Sequence, residues 1–185
     1  MHSPIGADNA YNLDYTVRQS RSFDEMLAKL PRGEERDYFE KNTELRRAFP
    51  QGTFNVWGVP EDAKPPFDLT EPGDVVFFAP SVGDSDGFVQ YFCVVKVVPR
   101  LRFEKASRIL WMEAPQDRIY PYIFFFDVEE GALPWFNFTY DAGYTPGWNP
   151  KGWYVHLANA RFLGDRNSLS YLEYIRSNYR FRKTG

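Results

Sequence analysis

The chain has 185 residues, a length that suits one domain with a sizeable apolar core. Hydrophobic residues at 43% and charged residues at 25% exclude a largely disordered chain, and a net charge of -3 excludes a protein that coats nucleic acid by electrostatics alone. Aromatic residues are the outlier, with 17 Phe, 12 Tyr and 5 Trp, a stock that suits strands and flat ligand pockets as well as an ordinary core.

Residues 1–19 lack periodicity and read as an arm or an early strand. Ser22-Phe23-Asp24-Glu25 is a capping-box pattern that opens a short helix through Leu30, which Pro31 ends. A second helix is expected from Glu34 to Ala48, before Pro50. Strands then dominate. Thr53 to Trp57 alternates and meets Gly58, and the turn Pro72-Gly73-Asp74 launches Val75 to Ala79. A polar hairpin loop, Ser81 to Gly87, leads to the long strand candidate Phe88 to Val98. Arg108 to Trp111 reads as a short strand, Tyr122 to Phe126 as a strong one and Trp153 to Phe162 as a late one. The Gly, Pro and aromatic residues of 141–151 mark an ordered loop, and Asn167 or Ser168 caps a last amphipathic helix through Tyr179.

Five or six closely spaced strands between helices predict an α+β domain around a curved sheet or partial barrel. Residues 1–50 form an arm and helices packed on a core of residues 51–180, and the basic residues Arg180, Arg182 and Lys183 place the start of a linker at 181–185. The single Cys93 lies in an apolar run and reads as a small buried hydrophobe. The polar N-terminus carries no signal-peptide pattern, and no apolar run reaches the roughly 20 residues of a membrane span, so a cytoplasmic protein without a membrane partner is expected.

Catalytic chemistry finds few footholds. His2 and His156 are the two histidines, and no Cys/His cluster has metal-ligand spacing. Walker A, glycine-rich dinucleotide and Gly-x-Ser-x-Gly patterns do not occur. Asp62-Ala63-Lys64 looks like the acid-x-lysine end of a nuclease site but sits in a Pro-rich loop. The expectation is a binding module with no cofactor rather than an enzyme.

Three features recur in order. Trp57-Gly58-Val59-Pro60 ends a strand; Glu71-Pro72-Gly73-Asp74 feeds Val75 to Phe78 and then Ala79-Pro80-Ser81; Arg108-Ile109-Leu110-Trp111 precedes Tyr120-Pro121-Tyr122-Ile123-Phe124. In this order the sequence resembles the EVE and YTH domains of the PUA-like superfamily over roughly Asn55 to Phe126. Among functional relatives, the N-terminal modified-DNA-binding modules of McrB-type restriction systems are the most similar. The resemblance implies a reader that flips a modified base, N6-methyladenine in DNA foremost, into an aromatic cage. Methylated RNA is the alternative ligand, and a fused or associated NTPase and nuclease would be partners.

By that resemblance Trp57 and Trp111 are two facing walls, and Gly58 offers a carbonyl to the amine N–H. Ser81 contacts the base or supports a wall. The third wall is open among Tyr120, Trp135 and Trp148, and the base-edge partner among Asn55, Asn42 and Asp127. Stacking of about 1–3 kcal/mol per base must exceed an extrusion cost of a few kcal/mol. Arg100, Arg102, Lys105 and Arg108 are the candidates for backbone phosphates. A protein-interaction role for the aromatic surface between Trp135 and Trp153 is the rival reading.

Overall fold

The structure is a computed structural model that describes residues 2–4, 12–79, 87–111, 118–144 and 168–183. It is α+β. Its strands are β1 (His2–Pro4), β2 (Arg21–Ser22), β3 (Thr53–Val59), β4 (Val75–Ala79), β5 (Phe88–Val97), β6 (Tyr122–Pro134) and β7 (Arg182–Lys183). Its helices are α1 (Phe23–Lys29), α2 (Glu34–Lys41), α3 (Thr43–Ala48), α4 (Lys64–Asp68), α5 (Glu104–Leu110), α6 (Trp135–Asp141) and α7 (Ser168–Tyr179). A short π-helical turn, Asp14–Arg18, precedes β2.

The strand order is β1-β4-β5-β6-β3-β2, and the sheet is open rather than closed into a barrel. Pairing is antiparallel except for β1 beside β4. The long β6 organises the rest. Along one edge it pairs with β5; its other edge is shared, Tyr122 to Phe126 going to β3 and Glu129 and Glu130 to β7.

Strand alternation sorts the core into two faces. On the front face, Trp57 and Val59 of β3 join Val76 and Phe78 of β4, Tyr91, Cys93 and Val95 of β5, and Tyr122, Phe124, Phe126 and Val128 of β6. On the back face, Phe54, Val56, Ile123 and Phe125 pack with Phe23, Met26, Phe39 and Leu45 of α1 to α3 and with Leu110 and Trp111 at α5. The β4 end of the back is filled by Phe77, Val89, Phe92 and Leu133 against α6, α7 and Phe181.

Local signals set several boundaries. Ser22 Oγ accepts from the Glu25 N–H at 3.0 Å and starts α1 as the capping box requires. The expected second helix is instead two, because the Asn42 side chain accepts from the Leu45 N–H at 2.8 Å and restarts the chain as α3. Arg108 to Leu110 is helix, not strand, closing α5. The strand expected over Tyr122 to Phe126 continues to Pro134, where Glu129 and Glu130 break the apolar pattern.

Residues 181–183 are not free chain. Phe181 is buried against Gly131, where an added Cβ would lie 2.6 Å from the ring, and Arg182 and Lys183 pair with β6. The linker reading therefore fails for these residues; 184–185 lie outside the described residues. The expected strand at Trp153 to Phe162 lies outside them too.

Candidate functional site

Trp57 is the best-placed of the sequence candidates. It sits in the middle of the front face opposite Phe124 in the β3–β6 register, with its ring edge-on to Phe78 at 5.2 Å. Asn55, two residues earlier, shares the face and lies opposite Phe126. The indole is 4% exposed.

Trp111 does not face it. The 111 indole lies on the back of the sheet, 3% exposed, with Tyr120 edge-on at 5.5 Å. A Cβ on Gly58 would come within 2.5 Å of Trp111 Cη2 and 2.7 Å of Tyr120 Cβ, so Gly58 is the space into which the ring fits. The expected slot with Trp57 and Trp111 as opposing walls is thus corrected. The side chains at 57 and 58 point to opposite faces because a strand alternates, and a ring that abuts Gly58 on the back lies across the sheet from Trp57.

Tyr120 goes with Trp111, its N–H donating to Ser107 Oγ at 2.8 Å, and so is remote from the front face as a wall. Trp135 is buried in the back cluster beside Phe138. Asn42 serves as the α3 cap, and Asp127 pairs with Lys96 at 3.1 Å and Lys183 at 3.8 Å. Ser81 and Trp148 lie outside the described residues.

The expected phosphate group is largely engaged with protein. Arg100 donates to the carbonyls of Asp68 at 3.4 Å and Thr70 at 3.0 Å. Arg102 pairs with Glu61 at 3.4 Å and Glu104 at 2.6 Å, and Arg108 pairs with Glu104 at 3.6 Å. Glu35 accepts from the Lys105 N–H at 3.1 Å, while the Lys105 ammonium has no ion-pair partner among the described residues. The Tyr122 hydroxyl and Arg102 both hold the Glu61 carboxyl below its ordinary range. These are exposed pairs, which phosphate oxygens can displace.

Sequence reading passed over what covers the front face. Val17 of the π-helical turn and Leu13 just before it pack into its cluster. The Asn55 amide donates to the carbonyls of Thr16 at 3.3 Å and Val17 at 2.9 Å, and its oxygen accepts from Ser20 Oγ at 3.2 Å. Arg18 Nε donates to the Tyr91 hydroxyl at 2.9 Å, and that hydroxyl donates to Glu130 at 3.1 Å. Burial opposes the Arg18 charge, but the bonds to Tyr91 and Asp14 outweigh it and hold the guanidinium above its ordinary value. Arg18 and Tyr91 stand 73 positions apart, and no spacing rule connects them.

Two open cavities border this cover. One, of about 340 Å³, is lined by Ser20, Asn55 and Phe126; the other, of about 510 Å³, by Arg18, Tyr91 and the partly exposed Phe88. Among the described residues there is no group of three or more His, Cys, Asp or Glu able to hold a metal ion, and no helix long and apolar enough to cross a membrane.

Compared with known proteins, the chain matches no family model, no curated protein and no solved structure.

Proposed function

We propose that the chain is a nucleic-acid-binding module of the EVE/YTH-like, PUA-like kind, which reads a modified base on the front face of its sheet. N6-methyladenine in DNA is the favoured ligand, and the module's role is to target a modification-dependent restriction system. The observation that carries the reading is Trp57: the strand-end tryptophan of the ordered motifs lies among Phe78, Phe124 and Phe126 with the Asn55 amide on the same face. An indole supplies a stacking surface, and an asparagine amide can hydrogen-bond an adenine edge with both its donor and its acceptor. Trp111 drops out as a wall and belongs to the scaffold; Gly58 belongs with it.

The test is a titration with oligonucleotides identical but for N6-methylation, in deoxyribose and ribose forms and at several salt concentrations. Tighter binding of the methylated DNA is expected, and the ribose arm decides whether RNA is the better ligand. Equal affinity for methylated and unmodified strands in both sugars would sink the methyl-reading claim. Because Trp57 is buried, Trp57→Phe is a cleaner probe than Trp57→Ala: it keeps most of the apolar volume, and should cut selectivity while the fold persists.

One observation favours a second reading. Phe136 and Tyr140 project from α6 at 57% and 73% exposure with their rings stacked at 6.5 Å, a surface suited to a protein partner. Loss of partner capture in a Phe136→Ser, Tyr140→Ser double variant, with oligonucleotide binding intact, would favour it.

A further inference from the structure

We infer that residues 12–20 form a strap that closes the front face, and that the strap and the ligand compete for the same amide, that of Asn55. The inference rests on the front-face reading proposed above and adds its regulation.

The strap is attached by two buried aliphatic side chains, Leu13 and Val17, which join the front cluster, and by a set of polar bonds. Asn55 spends both its donor and its acceptor on the strap, through the Thr16 and Val17 carbonyls and Ser20 Oγ. Arg18 adds the bond to Tyr91. Water can replace each of these bonds when the strap lifts, so release costs the burial of two aliphatic side chains rather than the unfolding of the sheet.

The closed state also carries defects. Asn12 Oδ1 is buried at the root of the strap with no hydrogen-bond partner among the described residues. The chain then runs as a single π-helical turn, a backbone form that is rare and frequent at functional sites. The two open cavities lie against this segment, one bordered by Ser20 and the other by Arg18. Lifting residues 12–20 uncovers the front face beside both and frees the Asn55 amide. A nucleobase matches what is then offered: a flat aromatic surface for its ring and one donor–acceptor pair for its edge.

Tyr91→Phe removes the latch to Arg18 and leaves Asn55 and Trp57 untouched. It should raise affinity for an N6-methyladenine oligonucleotide about five- to tenfold, because the open state becomes more populated. Hydrogen exchange supplies a readout that needs no ligand. In the free protein, amides 13–20 should exchange well before those of β3 and β6, and faster still in Tyr91→Phe. Exchange of the strap only together with the sheet, or unchanged affinity in a folded Tyr91→Phe that does bind, would overturn the strap. If no oligonucleotide binds any variant while strap amides still open early, the base-reading proposal and the competition both fail, and a mobile cover alone is left. Adding the oligonucleotide should speed strap exchange; protection of amides 13–20 on binding would also overturn the competition.

Discussion

The two faces of the sheet are closed by different means. Behind it, helices α1, α2, α3 and α5 interlock with Phe54, Val56, Ile123 and Phe125, and Trp111 fills the space left by a missing side chain at Gly58. In front, residues 12–20 pack on the face through Leu13 and Val17, with the Asn55 amide donating to the Thr16 and Val17 carbonyls and the Tyr91 hydroxyl accepting from Arg18. The back is closed by packed helices; the front is closed by residues 12–20, the strap inferred above. The indole built into the packing is scaffold, and the indole on the front face is the candidate reader.

Substitutions should expose that contrast. The largest effect is expected for Trp111→Ala, which removes a buried indole from the back and should cost about 3–5 kcal/mol in urea denaturation. Trp111→Phe should cost distinctly less, because the indole N–H it deletes is buried without a hydrogen-bond partner among the described residues. Next comes Gly58→Ala. Its methyl would collide with the Trp111 ring and Tyr120, both buried, and should cost about 1–3 kcal/mol. A change of less than half that would mean the back face yields more than its packing implies.

On the front, Tyr91→Phe should lower global stability by about 1 kcal/mol or less, its main effect being the local exchange of the strap. A large global loss would make the strap part of the core and erase the distinction between the faces. The smallest effect concerns pH. Burial and the hydrogen bond to Glu130 raise the Tyr91 phenol above its ordinary value of 10, against the opposing influence of Arg18. A raised folded pKa makes its stabilisation complete below the unfolded value and lost as pH rises through the folded one. The Tyr91 contribution should thus be constant through neutral pH and be lost only in strong alkali, while its bond to Arg18, which favours the phenolate, should hold there. Phenolate absorbance titrations of the native protein and Tyr91→Phe should differ by one group titrating above pH 10.

Much of the fold was legible from local pattern. The capping box at Ser22, the turn at Gly73 and the apolar runs Val75 to Ala79, Phe88 to Val98 and Tyr122 to Phe126 each produce the element they predict. Arg108 to Trp111 misled because a short apolar run carries no period long enough to separate strand from helix, and here Trp111 N–H bonds to Ser107 O to end a helix. The second half of β6 was obscured because Glu129 is a buried acid within a strand. It is tolerated there because Arg176 of α7 supplies the opposite charge from a distant part of the chain.

The amino-acid sequence by itself determined the class of fold, most of the strands and the presence of aromatic material at Trp57 and Trp111. Which face each indole occupies depended on strand pairing and on where α5 returns to the sheet. Positions 57 and 58 are adjacent in the chain yet face opposite sides, and the return of a distant helix is fixed by packing, which no short-range pattern encodes. The segment packed on the front face was placed in the same way, by Asn55 and Tyr91 meeting residues that have no periodicity to announce it.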